Sequence, residues 1–284
     1  MANEPLQRAL RRFADAVAPE RVKIDLAEAA LLCAQDTYPD LDIRSQLDTL
    51  EALAAKLRNR LPADFSVTHR LVALNNYLFS ELGFSGNADS FYDPRNSFLN
   101  DVIERKTGIP ITLSILYLEI GQRLGLKLKG VSFPGHFLVK VRVSGGELVL
   151  DPFAGGRSLS EEDLRERLAQ FTGPNTAQDL PLEDFLEAAT PRQILARLLR
   201  NLKGIYLEAK EFDKALGVMN RLVILLPDVP EERRDRGVVY ARLECPRAAQ
   251  DDLSHYASER PKADDAEVIA AQLAVVTIAA ARLN

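Results

Sequence analysis

The sequence predicts an α+β domain over residues 1–175 followed by an all-helical repeat domain over residues 182–284. Three observations carry this reading. A chain of 284 residues exceeds a typical single domain. The stretch from Gly108 to Gly156 passes from a helical pattern into two strand patterns, whereas the text beyond residue 182 is helical and repeats itself. Between them, after Phe171, T-G-P-N-T-A-Q-D-L-P-L is a run of turn formers that reads as a connector.

The first 85 residues read as helices. From Ile43, apolar residues fall at Leu47, Leu50, Leu53 or Ala54, Leu57 and Leu61, the three-or-four spacing of one buried helical face. Ser66 can cap a second helix with the face Leu71, Leu74, Leu78 and Leu82, stopped by Gly83. Phe84 to Arg95 is polar and rich in Gly, Asn and Asp, which predicts a loop. Asn96 or Ser97 can cap a short helix to about Lys106. Pro110 then opens a longer one, because a first-turn proline lacks an N–H that would have no helical partner anyway. That helix is expected to bury Leu113, Leu116, Ile120 and Leu124 and to end at Gly125.

Strand signals begin at Lys127. From His136 to Val143, Phe137, Val139, Val141 and Val143 alternate with His136, Leu138, Lys140 and Arg142; Ser144-Gly145-Gly146 supplies a turn, and Glu147 to Asp151 returns. A symmetric hairpin pairs Lys140, not His136, with Asp151. It leaves His136 and Asp151 about 13 Å apart at strand rise, a gap that a bulge or an irregular entry at Pro134-Gly135 would close.

Beyond the connector, Tyr206 recurs as Tyr240, Ala215 as Ala249 and Pro227 as Pro261, each 34 residues on. That period, with an aromatic in the first helix and a small residue where helices cross, is the tetratricopeptide signature. Ala266 to Leu283 reads as a further helix covering the end of the stack.

Composition narrows the chemistry. A hydrophobic content of 46% with 27% charged residues is that of a globular protein with real cores. The net charge of −5 argues against nucleic acid as a partner. Two cysteines make no disulfide framework, the N-terminus lacks the apolar core of a signal peptide, and no run approaches the roughly 18 apolar residues of a membrane span. A cytoplasmic protein without a membrane role is expected. Three histidines, with His69 and His255 on helical surfaces, argue against a metal site, and no glycine-rich phosphate loop appears, so no cofactor is expected.

The stretch 108–156 also carries most of an enzyme's parts. A thiol nucleophile belongs at a helix start, where the helix dipole favours the thiolate, with a His to hold the proton and a carboxylate to orient that His. His136 and Asp151 are present, but the helix opens on Gly108-Ile109-Pro110-Ile111, and the only cysteines are Cys33 and Cys245. Ser114 and Thr112 are the nearby hydroxyls. Ser114 lies one turn inside, where a hydroxyl usually bonds back to a carbonyl of its own helix. His136 itself supports two readings, a structural or pocket-lining residue and a catalytic base. Asp151, before Pro152, reads either as a turn former or as the histidine's partner.

E-L-G-F-S-G-N (81–87), Y-D-P-R-N-S-F-L-N-D-V-I (92–103), G-I-P-I-T-L-S (108–114), G-V-S-F-P-G-H-F-L-V (130–139) and L-D-P-F (150–153), together with the repeats, resemble the bacterial SirB-type proteins. These join a transglutaminase-like domain to tetratricopeptide repeats, and the family name is associated with regulation of virulence genes. The wider superfamily sets its Cys a fixed distance ahead of an L-G pair; counting back from Leu124-Gly125 lands on Pro110 or Ile111. The resemblance therefore implies a transglutaminase-like (papain-like) fold and a dyad, but acyl transfer or amide hydrolysis would need the missing thiol. It also makes Tyr92, Asn96, Ser97 and Asn100, with Pro110 and Phe133, the expected rim of a cleft at His136; capping and Asx turns are the plainer reading of the polar ones.

The leading expectation is a non-catalytic, nucleophile-lacking interaction protein. Its repeat groove would take a protein or peptide, with Arg200 and Lys203, near the start of the first repeat helix, favouring an acidic stretch unless they are salt-bridged. The alternative is an amide hydrolase or acyltransferase with Ser114 or Thr112 as nucleophile and His136–Asp151 as dyad.

Overall fold

The computed structural model describes residues 4–18 and 23–283. By contact the chain divides into two units: residues 19–198, and residues 1–18 together with 199–284.

Along the chain, α1 (Glu4–Ala16) buries Ala9, Phe13 and Ala16. Helix α2 (Leu26–Leu32) is capped by Asp25, whose carboxylate accepts the Glu28 N–H at 2.9 Å. Asp42 likewise caps α3 (Ile43–Arg58), and Ser66 caps α4 (Val67–Asn75). Helix α4 widens into one π-type turn over Asn76–Glu81 before Gly83. The polar stretch after it contains a short strand, β1 (Ser85–Gly86), which pairs in parallel with β2 (Thr107–Gly108). Between these strands Asp93 caps a 3₁₀ turn over Pro94–Ser97, and α5 (Leu99–Arg105) follows with Phe98 at its N-cap, so neither Asn96 nor Ser97 caps it.

Helix α6 (Pro110–Arg123) is the centre of the 19–198 unit. Every residue from Pro110 to Gly121 is buried, not just one face, because α2 and α3 pack on it along with the sheet. That sheet is antiparallel, in the order β3 (Leu128–Val131), β4 (Leu138–Val143), β5 (Gly146–Asp151), β6 (Arg157–Leu159). Alternation sends Val139, Val141 and Leu150 toward one face and Val131, Leu138 and Val149 toward the other. The second set forms a core with Leu164 and Leu168 of α7 (Glu161–Thr172) and with Ala177 of α8 (Pro174–Asp179).

The helical array consists of α9 (Pro191–Glu208), α10 (Phe212–Leu225), α11 (Pro230–Arg242), α12 (Pro246–Glu259) and α13 (Ala266–Ala281). Ala215 and Ala249 are fully buried where the paired helices meet. Helix α13 packs on α12 through Ile269 and Val276, while Val268, Val275 and Ile278 stay exposed.

The division therefore falls inside α9 and not at the 173–181 connector. Two contacts explain the shift. Ala177 of the connector is buried in the sheet-side core. At the other end of the chain, α1 packs on α10, with the Arg221 guanidinium 5.7 Å from the Phe13 ring centre.

Candidate functional site

The hairpin closes more tightly than a symmetric reading of the sequence allows. Val143 pairs with Gly146 across a two-residue loop, Lys140 pairs with Val149 and Val139 with Leu150. Extending this register sets Leu138, not Lys140, opposite Asp151, so the two-residue shift moves His136 toward it. His136 is not on the strand; it ends a tight turn in which its N–H donates to the Phe133 carbonyl at 3.1 Å. Gly135 makes that turn at φ +63°, where a side chain is strained. The ring then swings back, and His136 Nε2 lies 2.9 Å from Asp151 Oδ1.

Asp151 is fully buried and saturated. Its Oδ1 accepts from His136 and from the Phe153 and Ala154 N–H groups at 3.0 and 3.3 Å, and its Oδ2 accepts from Arg167 of α7 at 2.7 Å. Turn former and histidine partner are thus one role. Burial pushes this carboxyl up, but the hydrogen bond and charge of His136, with Arg167 and the backbone N–H, outweigh it and hold Asp151 below the usual range. With Asp151 ionised, His136 Nε2 donates, which leaves Nδ1 as the ring's other nitrogen.

Among the described residues no hydroxyl or thiol hydrogen-bonds that nitrogen. Among the described residues the His136 ring makes one hydrogen bond, to Asp151, and one ring contact, edge-on to Phe153 at 5.9 Å. Thr112 accepts the Ile109 N–H at 3.1 Å and donates to the Asn96 carbonyl at 2.7 Å, so its hydroxyl caps the helix. Ser114 is fully buried, and its hydroxyl points at the Phe137 carbonyl at 3.5 Å, not along its own helix as expected. Cys33 is buried on α2 and donates to the Ala29 carbonyl at 3.2 Å; Cys245 is exposed.

The expected rim divides sharply. Tyr92 is 70% exposed, but Asn96, Ser97, Asn100 and Pro110 are buried. Asn96 ties its loop together, donating to the Ser90 carbonyl at 2.7 Å and accepting from Asn87 at 3.2 Å. Phe133 is fully buried in the sheet-side core beside Phe185, so it lines no surface. What does surround His136 is aromatic: a run of ring contacts leads from it through Phe153 and Phe91 to exposed Tyr92. Phe171, 58% exposed, packs over Gly135 so closely that a Cβ there would overlap its ring. Phe171 and Arg167 were not singled out from the sequence, since α7 reads as an ordinary charged helix.

In the array, Arg200 and Lys203 lie in the middle of α9, not near its start. Both donate to Glu232, at 2.8 Å each, and Lys203 also to Asp235 at 2.9 Å; Glu232 is buried. The salt-bridged reading of these cations is the one realised, because α9 and α11 face each other across them. Among the described residues no group of three or more His, Cys, Asp or Glu could hold a metal, and no helix is long and apolar enough to cross a membrane.

A helix-and-sheet unit with a His–Asp pair, followed by stacked helix pairs, is the architecture of a transglutaminase-like domain joined to tetratricopeptide repeats. Comparison with family models agrees: residues 44–200 match the transglutaminase-like superfamily and residues 202–274 the tetratricopeptide repeat. The chain belongs to the transglutaminase-like superfamily. Its relatives include a UPF0162 protein of Xylella fastidiosa, 41% identical over 88% of this chain and 89% of the relative. A Vibrio cholerae UPF0162 protein is 30% identical over 88% and 92%, and Protein SirB1 of Salmonella typhimurium 28% over 87% and 91%. A crystal structure of menin aligns with 95% of this chain and 70% of that one, at 11% identity and a TM-score of 0.42, too slight a likeness to bear on fold or function.

Proposed function

We propose that this chain is a cytoplasmic interaction protein whose transglutaminase-like domain has no acyl-transfer chemistry. The observation that carries the reading is the isolation of His136: among the described residues its ring hydrogen-bonds only Asp151, and neither candidate hydroxyl reaches it. A general base needs its nucleophile within hydrogen-bond reach, and a serine is too weakly acidic to act without one. In this reading Asp151 is a clasp that joins the His136 turn, the Pro152 turn and α7. The exposed rings of Tyr92 and Phe171 beside the clasp are anchors for a peptide or partner surface, since amphipathic aromatics bury much area at little entropic cost. The repeats supply a second surface, as such arrays generally do. A preference for acidic ligands through Arg200 and Lys203 is not part of the proposal, because Glu232 already takes both cations.

A photo-crosslinking residue at position 92, in the full chain and in its native cytoplasm, is expected to trap a discrete protein, and Phe171→Ala is expected to reduce the yield. Wild-type protein offered a panel of amide and ester substrates is expected to show no turnover that His136→Ala removes. Turnover abolished by both His136→Ala and Ser114→Ala, at unchanged melting temperature, would overturn the proposal and establish the hydroxyl-nucleophile enzyme instead.

A further inference from the structure

Helix α13 presents two unlike faces. Ile269, Leu273 and Val276, three or four residues apart, pack with Leu253 and Tyr256 of α12. Half a turn around the helix, Ala271, Ala274, Val275 and Ile278 are exposed, Val275 by 68% and Ile278 by 58%. Each of α9 to α12 carries several charged residues, but α13 has none between Glu267 and Arg282. In a repeat array a helix face without a neighbour is normally polar, and an exposed apolar face with a charged rim marks a contact surface.

The charges at the two ends say what fits that surface. Glu267 stands in the first turn and Arg282 at the C-cap, about 22 Å apart at the rise of an α-helix. Both are exposed, and neither has an ion-pair partner among the described residues. A face that is negative at one end, positive at the other and apolar between is complementary to itself when turned end for end. Laid antiparallel, two such helices bring each Glu267 beside the other's Arg282, twice by symmetry, whereas a parallel pairing sets like charges together. The midpoint of that match falls between Ala274 and Val275. In the same register Ile278 of one helix meets Ala271 of the other, and Val275 meets Ala274. Each bulky side chain then faces a small one, and the helices can approach closely. A lipid surface would call for a basic rim, and α13 offers only Arg282.

We propose that this chain forms a homodimer through α13, two copies pairing these helices antiparallel about a two-fold axis between Ala274 and Val275. Val275 and Ile278 leave water at that interface, and the Glu267–Arg282 pairs set its direction. A single pair of helices is a small interface, so the dimer dissociates in the micromolar range.

The test is sedimentation equilibrium of the full chain over roughly 1–200 μM, the range in which an interface of this size associates. Wild-type protein is expected to show a reversible monomer–dimer equilibrium. Val275→Glu, at an exposed position, is expected to weaken it at least about tenfold by burying like charges at the axis, with the melting temperature of the dilute monomer unchanged. Glu267→Arg and Arg282→Glu, each alone, are expected to weaken it about fivefold, since symmetry doubles every rim pair. The two reversals together are expected to restore it, because the swapped pattern is again complementary to itself. Protein that stays monomeric throughout overturns the proposal, as does a dimer that Val275→Glu leaves intact. A double reversal no tighter than the single ones overturns the antiparallel pairing on which the proposal rests. Monomeric protein that sediments with vesicles of phosphatidylethanolamine and phosphatidylglycerol, and loses this with Val275→Glu, assigns the face to a membrane surface instead. None of these results bears on the aromatic face at His136, which shares no residue with α13.

Discussion

If Asp151 is a structural clasp, replacing it with Asn should release its hold on α7. The substitution keeps volume and, through Oδ1, the bonds from Phe153 and Ala154. It removes the charge and turns an NH₂ group toward Arg167, whose guanidinium now stands 2.7 Å from Oδ2. Hydrogen bonds to charged groups are worth about 1.5–3 kcal/mol, and breaking a buried pair costs about 3–5 kcal/mol. The Arg167 side chain is 27% exposed and water takes up part of its loss, so a cost of about 2–3 kcal/mol is expected. For a unit of this size that corresponds to a melting temperature lower by about 4–12 °C. The pH dependence gives an independent check. The folded Asp151 has its pKa held below the unfolded value, so its contribution is present above about pH 3.9 and is lost as pH falls through the lower, folded value. The stability gap between wild type and Asp151→Asn, measured by urea unfolding, should be full at neutral pH and shrink in strong acid. A variant within about 0.5 kcal/mol of wild type at pH 7, the scatter of ordinary surface changes, would refute the clasp.

Two further outcomes follow from the same geometry. Gly135→Ala should cost about 1–2 kcal/mol from its left-handed backbone alone and more because its Cβ would meet the Phe171 ring. Combined with Phe171→Ala it should recover the second part, and strict additivity in that double-mutant cycle would refute the contact. Lys203→Met should destabilise the helical array by about 1–3 kcal/mol, because it leaves buried Glu232 half-paired. Urea unfolding that is unchanged by this substitution would restore Lys203 to the role of a free groove cation.

Much of the fold was legible because it depends on short-range periodicity. The cap at Ser66, the helix start at Pro110, a hairpin turn within Ser144-Gly145-Gly146 and the 34-residue recurrence of Tyr206, Ala215 and Pro227 are local statements, and local sterics and burial enforce them. The absence of a thiol at Pro110-Ile111 was equally plain. Three features were not legible, because each depends on partners distant in the chain. The hairpin register was off by two residues: alternation fixes which face a side chain takes but not how far the strands slide, and a shift of two keeps every face. The expected rim residues Asn96, Asn100 and Phe133 are polar or aromatic in sequence, yet neighbouring elements cover them. Arg200 and Lys203 looked available until α11 brought Glu232 against them. By itself, then, the sequence determined the main helices, the hairpin and the absence of a thiol at the start of α6. The tertiary structure alone decided that His136 reaches Asp151 and that Arg167 completes the clasp. Each of these depends on where side chains far apart in sequence come to rest, and no local pattern encodes that.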